Sequence, residues 1–354
     1  MEAKLPMSSL TLFGAGSWGT ALASHLASAG RDVTLWVRRP ETVEAIRRTS
    51  HNPQYLSSIP IPASVHVTAD LKEAAAASNL WGMVVPSQKL RARAESLQPY
   101  AHDEIRIVSL AKGIESDTLY TMTKVLADTL PAVPPNQIGV LSGPSHAEEV
   151  AEGRPTSLVA AAPTETEARR IQKVFMTDRM RIYLNTDVVG VEIGGSAKNV
   201  LAIAAGIGDG VGYGDNAKAA LVTRGIAEIR RLGQSMGADP RTFSGLSGIG
   251  DLVVTCMSAH SRNRRLGERI GRGETLDDIL DDMDMIAEGV HTTQAVHQLA
   301  ARHGIEMPIT EAVHSVLFGG KQPAEMVKRL MTRSAKREHW LPDSSELMTR
   351  PSSE

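Results

Sequence analysis

The sequence predicts an α/β fold in two parts: an N-terminal Rossmann-type, mostly parallel sheet over residues 1–186 and an all-α region over 187–334. Three observations carry this expectation. Short β-rich runs alternate with helical stretches as far as about Asp187, and that alternation builds a parallel sheet covered by helices on both faces. A glycine turn with Gly14, Gly16 and Gly19, in "LTLFGAGSWGTALASHL", joins the first strand to the first helix. Beyond Asp187 the β-branched runs vanish and long helical segments take over. A chain of 354 residues is ample for two units of roughly 100–200 residues each.

In order along the chain, "SLTLFG" reads as a strand and "SWGTALASHLASAG" as a helix closed by Gly30; "DVTLWV" is a second strand. The runs "NLWGMVVP", "IRIVSLAKG", "IGVLSGP" and "TSLVAAA" are further strands, with "DLKEAAAAS" and "ETEARRIQKVF" as helices between them. The helical region contains "EIGGSAKNVLAIAAGIGDG", "DNAKAALVTRGIAEIRRLGQSMG", "SRNRRLGERIG", "TLDDILDDM", "TTQAVHQLAARHG" and "ITEAVHSVLFGG". From Ala335 onward the chain is polar and aperiodic, so residues 335–354 are expected to be loosely ordered. No internal repeat has a fixed period.

Composition excludes several classes of function. Thirty-eight lysines and arginines face 40 aspartates and glutamates, and a net charge of −2 supplies no field for nucleic acid or an acidic membrane. No stretch reaches the ~18 uninterrupted apolar residues of a membrane span, and the N-terminus lacks the pattern of a secretory signal. The expectation is a cytoplasmic protein. The single cysteine, Cys256, excludes an intramolecular disulfide framework and reads as a buried small hydrophobe. No histidine–cysteine cluster has metal-ligand spacing, so no metal is expected.

The glycine turn has a strand before it and a helix after it. In that context Gly14 permits the tight turn, Gly16 lets backbone approach a pyrophosphate, and Gly19 lets helix and strand pack closely. The helix N-terminus adds unpaired N–H groups and the positive end of its dipole. An NAD-binding second strand ordinarily ends in an acid that holds the ribose hydroxyls; here "LWVRRPE" has Arg38 and Arg39 instead. An arginine there can pair with a 2′-phosphate, which favours NADP(H) or dual use of NAD(H) and NADP(H). The bland alternative is a solvated basic turn.

Ligands of such sheets bind beyond the carboxyl ends of the strands. Lys112 follows one strand in "IVSLAKGIE", and Gly143 and Ser145 follow another in "VLSGPSHAEEV", where Ser145 is a candidate cap for the helix beginning "HAEEV". Asp251 emerges from a glycine-rich turn in "GLSGIGDLVVTC". In "SAHSRNRRLGERIG", Ser261 reads as an N-cap that puts Arg262 and Asn263 in a first helical turn, a receptor for phosphate or an exposed basic helix start. Lys198 is the anomaly: an ammonium in an apolar helix, flanked by Gly194, Gly195, Ala202 and Ala205. Either its pKa falls towards that of a general base or it meets an anion, for which Asp251 is the candidate by chemistry.

Taken together, "GAGSWGTALA", "VVPS", "AKGIE", "SGPSHAEE", "GGSAKNVLAIAAGIGDG", "TRGIAEI", "GLSGIGDLVVTC", "SRNRR" and "AEGVHTTQAV" resemble the ordered motifs of the bacterial NAD(P)-dependent glycerol-3-phosphate dehydrogenases, from about Leu10 to Leu330. The resemblance implies hydride transfer between nicotinamide and C2 of a phosphorylated triose, interconverting sn-glycerol 3-phosphate and dihydroxyacetone phosphate for phospholipid synthesis. It implies that Lys198 is the proton acceptor and donor, and that Lys112 touches both cofactor and substrate. Gly143, Ser145, Asp251, Ser261, Arg262 and Asn263 match substrate-contacting positions. Ser17, Trp18, Arg38, Tyr55, Ala147, Arg262, Ile286 and Glu288 match cofactor-contacting ones. A homodimer is compatible with the resemblance. Two rivals remain open at this point: a β-hydroxyacid or 6-phosphogluconate type dehydrogenase, and a nucleotide-sensing module without turnover. The adjacency of Lys198 and Asn199 disfavours the first, and the second gives Lys112, Lys198 and Asp251 no reason to meet.

Overall fold

The structure is a computed structural model that describes residues 9–282 and 287–334; the polar stretch 335–354 lies outside the described residues. The apolar runs of the first half close into one eight-stranded sheet: β1 Leu10–Phe13, β2 Val33–Trp36, β3 His66–Thr68, β4 Leu80–Met83, β5 Arg106–Ser109, β6 Ile138–Ser142, β7 Thr156–Ala161 and β8 Met180–Asn185. Their order is β3-β2-β1-β4-β5-β6-β7-β8. All neighbours are parallel except β6 and β7, so β7 and β8 run against the other six.

The strands read from the sequence are β1, β2 and β4 to β7. Those six are covered on both faces and therefore appear as continuous apolar runs. The two that the sequence reading passes over are the edges. β3 has three residues, with His66 exposed, and β8 alternates buried Met180 and Ile182 with exposed Arg181 and Tyr183. An edge strand has no continuous apolar run to announce it.

Seven helices connect the strands: α1 Ser17–Ser28, α2 Pro40–Thr49, α3 Leu71–Ala76, α4 Leu90–Leu97, α5 Met122–Thr129, α6 Ala147–Ala151 and α7 Glu165–Phe175. One face of the sheet buries Leu10, Leu12 and Leu35 against Leu22 and Leu26 of α1. The other buries Phe13, Trp81 and Met83 against Leu90 and Leu97 of α4 and Leu126 of α5. Phe13 meets Trp81 edge-on, with ring centroids 5.5 Å apart.

The remaining helices are α8 Val188–Val211, α9 Asp215–Ser235, α10 Asp251–Met257, α11 Arg262–Gly271, α12 Leu276–Asp282, α13 Glu288–His303, α14 Pro308–Phe318 and α15 Pro323–Met331. α8 starts where Asp187 caps it, accepting from the Gly190 N–H at 2.8 Å, and ends at Gly212 in the left-handed conformation. It is the axis of this half. Its length and hydropathy match those of a membrane-crossing helix, yet 83% of its most apolar window is buried inside the fold. It is a core helix. Cys256 on α10 is fully buried, and burial pushes its thiol up to about 12, in keeping with a packing role.

Candidate active site

The strand order reverses between β1 and β4, which sets a crevice beyond their carboxyl ends. The glycine turn lies at that crevice. Gly14 has φ +132°, and a Cβ there would lie 2.3 Å from the Val84 carbonyl oxygen at the end of β4. A Cβ on Gly19 would meet the Gly14 carbonyl oxygen at 2.0 Å, whereas nothing lies within 4 Å of one on Gly16. The turn is tight where it must pack and open where a ligand would lie.

Asn52, fully buried, donates from Nδ2 to the Ala15 carbonyl at 2.9 Å and to Thr20 Oγ1 at 3.0 Å. That holds the turn in shape. α1 has no side-chain cap and no acid in its first turn, so its N-terminal N–H groups, with Ser17 and Trp18 leading, suit a pyrophosphate. Trp18 and Ala147 lie close by, half-buried against the same core, and Tyr55 is half-buried on the loop that Asn52 anchors. Arg38 and Arg39 are exposed just past β2, with Arg39 as the N-cap residue of α2. Burial, aided by the neighbouring charge of Arg38, holds the Arg93 guanidinium of α4 below its usual range. Arg93 itself stacks 4.0 Å above the Trp36 ring.

Around the ends of β5 and β6 the remaining candidates converge. Lys198 is buried in mid-α8, and its Nζ donates to Asp251 Oδ1 at 2.5 Å and to Thr255 Oγ1 at 2.8 Å. The other Asp251 oxygen, Oδ2, accepts from Lys112 Nζ at 2.8 Å. Lys112 Nζ also donates to the Gly143 carbonyl at 2.8 Å and reaches Ser145 Oγ at 3.5 Å. One carboxylate thus bridges two ammonium groups, from the end of β5 and from α8. Thr255 Oγ1 passes its own proton to the Asp251 carbonyl at 2.6 Å, which fixes it as an acceptor towards Lys198.

The small residues beside Lys198 explain how these groups meet. A Cβ on Gly194 would lie 2.7 Å from the Ser247 carbonyl oxygen, and one on Gly195 would lie 2.6 Å from Ser142 Oγ at the end of β6. The missing side chains let the turn Leu246–Gly250, which presents Asp251, and the β6 end both press against α8. Burial pulls the Lys198 ammonium down to about 8, with Asp251 opposing that shift and Lys112 adding to it. Burial alone would raise the Asp251 carboxyl, but Lys112 and Lys198 together hold it below the usual range. Asp251 also opens α10, where the helix dipole favours a negative charge.

Ser261 is the N-cap of α11, accepting from the Arg264 N–H at 3.2 Å. The N–H groups of Arg262 and Asn263 remain at the open end of that helix. Arg262 is exposed, and Asn263 is buried with its Oδ1 accepting from the Gly289 N–H at 2.9 Å. Arg264 turns the other way and pairs with Asp209 at 2.6 Å.

Comparison with known families matches this arrangement along nearly its whole length. The family model "NAD-dependent glycerol-3-phosphate dehydrogenase N-terminus" matches residues 9–168, and its companion "C-terminus" model matches residues 187–328. The chain belongs to the NAD-dependent glycerol-3-phosphate dehydrogenase family. It is 71% identical over 336 residues to a glycerol-3-phosphate dehydrogenase [NAD(P)+] of Salinibacter ruber, covering 95% of this chain and 98% of that one. It is 50% identical over 329 residues to the same-named protein of Chlorobium phaeobacteroides, covering 93% and 98%. A crystal structure of glycerol-3-phosphate dehydrogenase from Coxiella burnetii superposes with a TM-score of 0.88 at 37% identity, over 93% of this chain and 100% of that one.

One expectation from the local sequence reads differently in the structure. Ser145 does not cap α6: His146 is the N-cap residue, without a side-chain bond, and Ser145 Oγ instead donates to the Gly143 carbonyl at 3.0 Å, beside Lys112. A residue two places before the helix is too early to reach its first N–H groups. Glu288, at the start of α13, accepts from the Ser87 N–H at 3.0 Å and from Ser87 Oγ, tying the helical half to the end of β4. Ile286 lies outside the described residues. Thr255, Asn52, Ser87 and His146 are the members of the site that the sequence reading passes over. Asn52 carries no distinctive local pattern, and Ser87, Thr255 and His146 stand within "VVPS", "GLSGIGDLVVTC" and "SGPSHAEE" with no local feature that sets them apart.

Proposed function

We propose that this protein catalyses reversible hydride transfer between NAD(P) and C2 of a three-carbon phosphate, interconverting sn-glycerol 3-phosphate and dihydroxyacetone phosphate. The observation that carries the division of labour is the difference between its two lysines. All three N–H bonds of the Lys112 ammonium are matched by protein acceptors, Asp251, Gly143 and Ser145. Lys198 has two among the described residues, Asp251 and Thr255, which leaves one direction for a ligand oxygen.

When bound, the nicotinamide accepts or returns hydride at its C4. Lys198, as the free amine, takes the hydroxyl proton during oxidation; as the ammonium, it donates to the ketone oxygen during reduction. Asp251 orients that nitrogen and keeps its proton affinity within a working range, and Lys112 fixes Asp251. Gly143 and Ser145 line the substrate side by holding Lys112. Ser261, Arg262 and the amide N–H₂ of Asn263 hold the phosphate, whose binding energy orients the carbon. Gly14, Gly16, Ser17, Trp18, Gly19, Arg38, Arg39, Tyr55, Ala147 and Glu288 surround the cofactor, and the two arginines past β2 support NADP(H) as well as NAD(H). The functional division is then 1–186 for the nucleotide and 187–334 for the substrate. A cytoplasmic homodimer supplying phospholipid precursor is the setting this reading favours.

The test follows absorbance of NADPH or NADH on addition of dihydroxyacetone phosphate. Lys198→Ala is expected to lower kcat by about 10²- to 10⁴-fold with cofactor affinity intact, and Arg38→Asp to lower the NADPH-to-NADH ratio of kcat/KM. Substrate-independent absorbance in the wild type would refute the activity, and an unchanged ratio would refute the role of Arg38.

A further inference from the structure

The site contains a polar group that the roles above leave unused. His146 follows Ser145 in the loop after β6, and its ring nitrogen Nε2 is buried with no hydrogen-bond partner among the described residues. A buried polar atom without a partner costs about 1–3 kcal/mol, so a site that keeps one is built to have it met by something else. Four residues act on the ring. The charge of Lys198 acts on it directly, Glu148 and Glu149 follow it on α6, and its ring centroid is 5.8 Å from that of His260. His260 immediately precedes Ser261, the cap of the α11 phosphate receptor. The His146 ring therefore lies beside the segment that leads into the α11 phosphate receptor and within electrostatic reach of Lys198. Burial first, then the Lys198 charge, holds this imidazole below its ordinary pKa, so near neutral pH it is uncharged with one N–H.

Building on the proposed substrate, we propose that His146 is a further substrate-binding residue, whose neutral imidazole donates a hydrogen bond from Nε2 to the phosphate-bearing arm of the triose. The phosphate arm offers only acceptors, and the tautomer with its proton on the buried Nε2 is the one that can meet them. The other candidate, the free C1 hydroxyl, lies on the far side of C2 from the phosphate and so away from His260. Loss of a hydrogen bond to a charged group corresponds to about 10- to 100-fold in affinity.

The experiment compares three reductions, of dihydroxyacetone phosphate, hydroxyacetone phosphate (which lacks the C1 hydroxyl) and dihydroxyacetone (which lacks the phosphate), in the wild type, His146→Leu and His146→Gln. A thermal melt and a cofactor titration check the fold of each variant. His146→Leu is expected to raise KM about 10- to 100-fold for both phosphorylated ketones with little change in kcat, and to leave kcat/KM for dihydroxyacetone as it was. His146→Gln, which keeps a donor, is expected to recover most of the loss. Calorimetric titration of sn-glycerol 3-phosphate into each protein provides the same comparison without turnover. Unchanged KM values, or a loss confined to dihydroxyacetone phosphate and spared by hydroxyacetone phosphate, would overturn the assignment. Failure of the wild type to reduce dihydroxyacetone phosphate would instead overturn the proposed reaction, which keeps the two failures distinct.

Discussion

Two lysines around one carboxylate give Lys198 a proton affinity that neither burial nor pairing alone would set. Burial would drive an isolated ammonium far down, and an exposed ion pair would hold it up; the combination leaves it at about 8. Oxidation needs the free amine and reduction the ammonium. The pH profiles of kcat/KM should therefore oppose each other, the oxidative one rising to a plateau above about pH 8 and the reductive one falling above it. Asp251→Asn removes the attraction and leaves burial and Lys112 unopposed, so both limbs should move to lower pH, with reduction at pH 8 suffering most. Steady-state rates in both directions from pH 5.5 to 9.5 check this. Limbs that stay put in Asp251→Asn would mean that the titrating group is not Lys198.

At the scale of elements, the site depends on how closely α8 can be approached, and glycine decides that along its whole length. Towards its C-terminus a Cβ on Gly206 would lie 1.9 Å from the Arg264 carbonyl oxygen, and one on Gly267 of α11 would lie 2.1 Å from the Ile203 carbonyl oxygen. The two helices are in backbone contact, and the α11 start comes close to α8 at Asn199, the residue after Lys198: a Cβ on Gly289 would lie 2.7 Å from Asn263 Oδ1 and 3.0 Å from the Asn199 carbonyl oxygen. Gly208, two residues further along α8, has nothing within 4 Å of a Cβ. The two glycines should respond to alanine with opposite signs. Gly206→Ala must push α11 away and should cost about 1–3 kcal/mol or more, while Gly208→Ala should stabilise by roughly 0.5–1 kcal/mol through helix propensity. Urea midpoints of the two variants decide it, and equal shifts would show that α8 and α11 are not held at backbone contact. The sequence exposes the small residues of α8 but not which of them face a neighbour, since that depends on the partner helix.

For the molecule as a whole, legibility followed burial pattern. The six central strands and the long helices announce themselves by continuous or periodic apolar runs, and the glycine turn and the Ser261 cap by local chemistry. Lys198 was conspicuous because an ammonium interrupts an apolar helix, whereas Glu192 and Glu228 were not, because glutamate in a helix looks like solvent-facing surface. Both are buried and serve helices from elsewhere in the chain. Glu192 of α8 accepts from the Thr123 N–H at 2.8 Å at the start of α5, and Glu228 of α9 accepts from the Ile309 N–H at 2.8 Å at the start of α14. Neither helix has a side-chain cap of its own, so each borrows one across the fold. Burial raises Glu228 to about 7 despite those donors. A buried acid whose folded pKa lies above its unfolded value near 4.5 holds its proton longer in the folded state, so its contribution to stability declines between pH 4.5 and about 7. Lys198 works in the opposite sense at higher pH: its folded pKa of about 8 lies below the unfolded 10.5, the unfolded chain binds more protons in that window, and stability rises from about pH 8 to 10.5. The two groups together should produce a shallow minimum in unfolding free energy between about pH 7 and 8. Guanidinium unfolding from pH 5 to 10 measures it through differences from wild type. Glu228→Gln should remove the decline on the acid side and leave the alkaline rise, and Lys198→Met should remove the rise and leave the decline. A wild-type-minus-variant difference that is flat across either window would mean that the corresponding side chain is not buried in its charged form.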